Sequence, residues 1–386
     1  MTVAVLLDNP FTNDRRVLRE VETLAEEGMD VSVYCVRDSR LPLVENKENY
    51  RIVRIFEHDI YDIKKNRRLK RYCPVILENR PSVIHCHDQH MLQLGKMLKK
   101  RSPDLILVYD SHELFHAWPL NLSRFNDPLL FVKSWVVRKL QVIREKRNAR
   151  HADAFITVNG SIAAVLYRYF GKRHHPVVIR NIPALADFTP QPAYFRSMYG
   201  LKSDCRILVF IGSAVYLKTL NLEQVIRETA GMEHIALLII AGEQGGKAAL
   251  RQWVRAQGYS HVYFHDKLEP AAIGNALASC DVGLVPTWNK QDLSYWYALD
   301  NKLFEYIMSG IPVLATAQPE YKAVVETYGL GVCVDPDKPG DYARGLNQIL
   351  DQYEQYAAPL HRARQVLNWE QEKEKLTGLY RQFHTR

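Results

Sequence analysis

The sequence predicts an α/β protein built from two doubly wound parallel-sheet domains. Three observations carry this. A chain of 386 residues is too long for one ordinary core. Its strand candidates, such as Val31-Ser32-Val33-Tyr34-Cys35-Val36 and Ile207-Leu208-Val209-Phe210-Ile211, are nearly continuous apolar runs. Strands covered on both faces read that way, and the helices between them imply parallel pairing with right-handed crossovers. Finally, the strand-helix alternation restarts after a proline-bearing stretch, Pro183 to Pro192.

Val3 to Leu7 reads as the first strand; the opening is too short and lacks the basic flank of a signal peptide. Asn13-Asp14 caps a helix to about Glu27, with Val17, Val21, Leu24 and Ala25 as its apolar stripe and Gly28 beyond its end. Strands follow at 31–36, 83–86, 105–109, 154–158 and 177–179, with a helix to Lys99 and a long basic helix over 127–150 between them. The second half repeats the plan. Strands are expected at 207–211, 236–240, 262–264, 282–285, 313–315 and 331–334, helices at 219–230, 247–257 and 270–279, and further helices from Asp341 to the end.

The stretch Tyr297 to Thr316 organises the second half. Asp300 and Asn301 suit a helix start, because their side-chain oxygens can take free backbone N–H groups. Leu303, Phe304 and Ile307 recur at helical spacing and face a core; Gly310 and Pro312 end the helix before a buried strand. Lys302 and Glu305 share a face at its opening. Free N–H groups, a helix dipole and a lysine suit phosphate, and a carboxylate one turn deeper suits sugar hydroxyls. An ordinary amphipathic helix with a surface ion pair is the other reading of the same residues.

Composition narrows the classes. No run approaches the roughly 20 apolar residues of a membrane helix. Six cysteines (Cys35, Cys73, Cys86, Cys205, Cys280, Cys333) are dispersed without a C-x-x-C pair, which argues against zinc and a disulfide framework and for free thiols in a cytoplasmic protein. Net charge is +8, with residues 1–180 at +10 and residues 181–386 at −2. The first half therefore suits an anionic partner. Asp8 to Arg16 contains no glycine, so the G-x-G-x-x-G of nicotinamide and flavin enzymes is missing. Gly242-Glu243-Gln244-Gly245-Gly246 is no Walker A motif and reads as a turn.

In open α/β sheets ligands sit beyond the carboxyl ends of the strands. Asn13 and Asp14, His85, His87 and Asp88, and His112 and Glu113 fall there in the first half; Gly212, Ser213, Lys218, Asn301, Lys302 and Glu305 do so in the second. The spacing of the His and acidic residues is not diagnostic of a metal, and none is expected.

At these residues the chain resembles the retaining family 4 glycosyltransferases of the GT-B fold, in the branch with an Asn-Lys-x-x-Glu donor motif. The likeness spans nearly the whole chain. It rests on Asn13-Asp14-Arg15-Arg16-Val17 with Glu20, His85-Cys86-His87-Asp88, Tyr109-Asp110-Ser111-His112-Glu113, and Arg180-Asn181-Ile182-Pro183. Gly212 with Lys218, Asn301-Lys302-Leu303-Phe304-Glu305-Tyr306 followed by Gly310-Ile311-Pro312-Val313, and Asn368-Trp369-Glu370 to Tyr380 continue it. The resemblance implies two Rossmann-like domains facing across a cleft. Residues 1–185, with a returning helix 367–386, would form the acceptor domain, and residues 186–366 the nucleotide-sugar domain.

Carried over by position, Glu305 would bind ribose hydroxyls and Lys218 would neutralise the departing diphosphate. Asn301, Lys302 and Leu303 would lie beside it, His112 near the transferred sugar, and the Asn13–Arg16 turn with Asp14 over the phosphates. Backbone around His265–Lys267 would read the base, and His87, Asp88 and Glu113 would lie on the acceptor side. Such enzymes use no metal and no cofactor besides the nucleotide-diphosphate sugar. The expected acceptor is a cell-surface glycan or a lipid-linked molecule. The motif often carries a second glutamate where Tyr297 stands, and an arginine where Ser213 stands. An inactive sugar-nucleotide-binding or scaffold subunit, and another GT-B enzyme such as an epimerase or hydrolase, therefore stay open.

The run Lys64 to Arg71 is densely basic, and residues 129–150 mix Leu129, Phe131, Val132, Trp135, Val136, Leu140 and Ile143 with Lys133, Arg138, Lys139, Arg144, Lys146, Arg147 and Arg150. Peripheral binding to an anionic inner membrane face and core packing with a solvated basic face both fit. No nucleic-acid recognition motif is present.

Overall fold

The computed structural model describes residues 1–12, 14–57, 66–117, 128–172, 174–186, 188–191 and 193–383. Asn13, Lys64 and Lys65 lie outside the described residues, as do the side chains of Asn66, Arg67, Leu129, Phe131 and Lys133. The chain divides into two compact units, Met1–Asn181 with Glu372–Arg386, and Ile182–Gln371. The divisions expected from the sequence lay at 185/186 and 366/367.

Unit 1 is an eight-stranded sheet. Its strands are β1 (Thr2–Leu6), β2 (Asp30–Val36), β3 (Val44–Asn46), β4 (Tyr50–Phe56), β5 (Val83–His87), β6 (Ile106–Ser111), β7 (Ala154–Thr157) and β8 (Val177–Val178). Their order is β3-β4-β2-β1-β5-β6-β7-β8, parallel except for the antiparallel β3-β4 edge. That edge is the one departure from the all-parallel expectation. Arg54 in β4 is buried and ion-paired with Glu45 of β3 at 3.1 Å, which holds the short edge strand in place.

Unit 2 has six strands, all parallel: β9 (Arg206–Gly212), β10 (Ile235–Ala241), β11 (Val262–His265), β12 (Val282–Val285), β13 (Val313–Thr316) and β14 (Gly331–Val334). Their order is β11-β10-β9-β12-β13-β14. β10 is buried at every position, as a central strand between two helical layers must be.

Each sheet has a switch point where the parallel strand order reverses, between β1 and β5 in unit 1 and between β9 and β12 in unit 2. At such a switch point the flanking loops run apart and leave a crevice at the carboxyl edge. No disulfide joins the six cysteines. Among the described residues no helix is long and apolar enough to cross a membrane.

Candidate functional site

In unit 2 the crevice is built around the helix Asn301–Met308. Tyr306 anchors it: its buried hydroxyl accepts from the Ile211 N–H at 3.0 Å and donates to the Leu284 carbonyl at 3.2 Å. Its ring occupies the space a side chain at Gly283 would need. The helix is thus bonded to β9 and β12, the two strands at the switch point, and its first turn emerges at their carboxyl ends.

That first turn carries no side-chain cap. Asp300 sits at the N-cap position, but its carboxylate does not take a helix N–H. It accepts instead from Thr287 Oγ1 at 2.8 Å and from Lys302 Nζ at 2.7 Å. Burial favours the neutral acid at Asp300, yet Lys302 and Thr287 outweigh it and keep the carboxyl below its usual range. Lys302 also lies over the Phe210 ring, 5.4 Å from its centroid. The expectation that Asp300 caps backbone N–H groups is therefore replaced by a Thr287–Asp300–Lys302 chain. Leu303 is fully buried, and its N–H bonds the Asp300 carbonyl at 3.1 Å. Its contribution to this turn is packing.

Thr287 also connects to the loop that carries Gly212, Ser213 and Lys218. Leu220 pairs antiparallel with Thr287, and the Trp288 N–H bonds the Thr219 carbonyl at 2.9 Å. On its other side the loop rests on the glycine-rich turn: Val215 pairs with Gly245, and the Gly246 N–H bonds the Val215 carbonyl at 2.7 Å. Gly245 takes a left-handed φ of +79°, and a side chain there would meet that carbonyl. The turn therefore supports the Lys218 loop. Lys218 and Ser213 are exposed, and Glu305 is half-buried one turn into the helix. Tyr297 is half-buried at the end of the short helix Leu293–Trp296, and Lys267 is exposed beyond β11.

In unit 1 the carboxyl ends of β1, β5 and β6 gather a polar cluster. Arg16 of the helix Arg15–Glu26 is buried; its guanidinium donates to Asp110 at 3.0 Å and to the Ile179 carbonyl at 2.6 Å, and pairs with Glu20 at 3.1 Å. His85 bonds the Tyr380 hydroxyl at 2.8 Å, and its ring stacks on that of His87. His87 Nδ1 lies 3.3 Å from His112 Nε2. His112 is flanked by Asp110 at 3.5 Å and Asp88 at 3.7 Å, and its own N–H donates to Asp88 at 3.2 Å. Asp88 holds a left-handed φ of +61°, uncommon outside glycine, which turns its carboxylate back towards His112.

The charges sort by position. Burial disfavours the ionised form of Asp110, but Arg16 and His112 outweigh it and hold its pKa well below the usual range. Burial and the neighbouring His85 keep His87 neutral. His112 loses by burial and gains more from Asp88 and Asp110, so its pKa rises to about 10. Being raised above the ordinary 6.5, it adds stability that is complete below that value and is lost as pH rises through about 10. Unfolding measured from pH 7 to 10 should show this decline, and His112→Asn should flatten it. Equal slopes in the two proteins would remove His112 as the cause.

The ligand-capable atoms of Glu20, His85, His87 and Asp110, all buried, lie within 4.8 Å of one another. A divalent ion does not fit there as the residues stand, because Arg16 already supplies the cation between the two carboxylates. Burying a second cation beside it would be repulsive.

These two carboxyl-edge clusters coincide with two family models. Residues 14–181 match the glycosyl transferase 4-like domain, and residues 205–352 match the glycosyl transferases group 1 domain. The chain belongs to the family 4 glycosyltransferases. This glycosyltransferase is 23% identical to the D-inositol 3-phosphate glycosyltransferase of Corynebacterium diphtheriae, over 92% of this chain and 86% of that protein. The Thermobispora bispora protein of the same description is 24% identical, over 91% and 86%. Among solved structures it resembles sucrose-phosphate synthase from Thermosynechococcus elongatus, with a TM-score of 0.80 at 18% identity, covering 100% of this chain and 99% of that one. It also resembles Anabaena Alr3699/HepE in complex with UDP-glucose, at 0.72 and 14%, covering 99% and 100%. These likenesses give the fold as GT-B.

One residue of the glycosyltransferase sits differently from the sequence expectation. Arg16, placed by the resemblance in a turn over phosphates, is buried within unit 1. Asp14 caps its helix, as its place in the sequence predicts, by accepting from the Val17 N–H at 3.2 Å, and it also accepts from Asn9 at 3.0 Å. Glu113 is exposed, and its carbonyl receives the Ser111 hydroxyl at 3.0 Å. Sequence reasoning missed Lys247 altogether. This fully buried lysine donates to the Ala241 and His265 carbonyls at 2.8 and 3.0 Å and to Asp266 at 3.0 Å, fastening the ends of β10 and β11. Only its place just after Gly245-Gly246 hinted at it. A hollow of about 810 Å³ elsewhere in unit 2 is lined by Arg196, Arg206, Asp281 and Tyr353. It opens at the amino ends of the strands, and both arginines pair with Asp281 there at 2.8–2.9 Å.

Proposed function

We propose that this glycosyltransferase moves a sugar, with retention of configuration, from a nucleotide-diphosphate sugar to a cell-surface glycan or a lipid-linked acceptor. The observation that carries the reading is the uncapped first turn of the Asn301–Met308 helix, with Lys302 fixed beside it and the Lys218 loop bonded to the same Thr287. Open N–H groups, a helix dipole and two lysines suit a diphosphate. Glu305, one turn in, would accept from ribose hydroxyls, and the backbone at His265–Lys267 would contact the base. Lys218 and Lys302 would supply the positive charge that a metal supplies elsewhere. The departing phosphate would then take the acceptor's proton, so that charge stabilisation in a water-poor site does most of the catalysis. His112 would lie near the transferred sugar, and His87, Asp88 and Glu113 on the acceptor side.

Thermal shift in EDTA against UDP-, GDP-, ADP- and TDP-sugars tests this. A ligand at 100 times its Kd should stabilise by roughly 2.7 kcal/mol. One nucleotide class should raise the melting temperature of the wild type and leave Glu305→Ala unmoved. No shift with any of them would favour the second reading, a GT-B subunit without turnover. That reading is motivated by Ser213 and Tyr297, where the family's arginine and second glutamate often stand.

A further inference from the structure

The helix Pro128–Ala149 is inverted relative to an ordinary surface helix. Val132, Trp135, Val136, Leu140 and Ile143 recur at helical spacing and are 42–54% exposed. A solvent-facing stripe is normally polar. Among the described residues the opposite side is engaged from Val142 onward. Glu145 accepts from the buried Tyr109 hydroxyl at 2.9 Å, Asn148 bonds Gln93 and Lys96 at 2.6 and 2.9 Å, and the Val142 carbonyl accepts from Tyr169 at 3.1 Å. The apolar stripe therefore does not face the core of unit 1.

The exposed arc is also cationic. Lys139, Lys146, Arg147 and Arg150 are exposed on the same side, and Lys139 lies 5.6 Å from the Trp135 ring centroid. Glu145, the single acidic residue of the helix, is buried. The cations crowd further: burial, then Lys100, Arg147 and Arg144, depress the affinity of Lys96 for its proton.

We propose that this face docks the protein on an anionic lipid bilayer, the helix lying in the plane of the interface. The apolar stripe would enter the acyl boundary, Trp135 would sit at headgroup level, and the long basic side chains would reach anionic headgroups. A nucleic acid would use the cations and leave the aliphatic stripe wet. A second copy on a twofold axis would set like charges against each other. The proposal goes beyond the transfer reaction and does not rest on the donor-site reading.

The test is co-sedimentation of the full-length protein with vesicles of phosphatidylcholine alone and of phosphatidylcholine mixed with phosphatidylglycerol. The wild type should pellet with the mixed vesicles only, and less so as salt rises. Trp135→Ser/Leu140→Ser/Ile143→Ser and Lys139→Glu/Lys146→Glu/Arg147→Glu should each lower the bound fraction by about tenfold or more. Both should keep the wild-type melting temperature and donor-induced shift, which separates this outcome from failure of the donor site. Absence of the wild type from the anionic pellet, or binding undiminished in the apolar variant, overturns the proposal. A wild-type dimer dispersed by the apolar variant, or retention on duplex DNA in place of vesicles, assigns the face to another partner and overturns it too.

Discussion

Glu305→Ala and Lys218→Ala should each lower turnover by roughly 100- to 1,000-fold while leaving the melting temperature close to wild type. The size follows from what the residues are proposed to do. Lys218 stands on an exposed loop and would meet charge that grows as the sugar–phosphate bond breaks, so its removal is felt in the transition state more than in the ground state. Glu305 would position the donor, and a small misplacement of the reacting carbon is amplified exponentially in rate. Neither side chain is part of the buried core, so stability should survive. Glu305→Gln keeps an acceptor oxygen and should be milder than Glu305→Ala. Steady-state transfer assays with circular dichroism melts check all three, and full turnover in both alanine variants would dismiss the assignment.

Arg16→Met should cost about 3–5 kcal/mol of stability. The guanidinium is buried, and its loss strands Asp110, Glu20 and the Ile179 carbonyl without their cationic donor. A methionine of similar volume fills the space, so the loss reports charge more than cavity. Adding Asp110→Asn should restore part of it, because the stranded carboxylate is then neutral. Urea unfolding, followed by probes in each unit, measures the effect, since one transition need not describe both units. An unchanged midpoint in Arg16→Met would mean the cluster is wetter than its burial implies. The pH dependence has a definite sign. Asp110 is held below its ordinary pKa of 3.8, so its contribution is present above that value and is lost as pH falls through the depressed one.

The regular parts of the fold were legible because they are local. Strands such as β1, β2, β9 and β10 are apolar runs, and Gly310 ends the Asn301–Met308 helix in the left-handed conformation its position suggested. The β3-β4 edge was not seen: Val44-Glu45-Asn46 is too short, and Arg51 and Arg54 mask the apolar face of β4. Arg54 is buried because Glu45 and the Pro10 and Pro42 carbonyls receive it, partners that no helical or strand periodicity brings to it. The same holds at the site. Residue types at strand ends pointed to Lys218, Asn301 to Glu305, and His112. Whether a charged side chain turns outward to a ligand or inward to a partner is a tertiary matter. Arg16 and Lys247 turned inward, and Asp300 chose Thr287 and Lys302 over the helix N–H groups.

The hydrogen bond between His85 and Tyr380 joins positions 295 residues apart, and both belong to the unit that opens the chain. During synthesis His85 therefore lacks its phenol partner until Tyr380 has been made. The second unit is a single uninterrupted stretch and meets no such delay. The second unit can therefore be made whole before the first has all of its contacts.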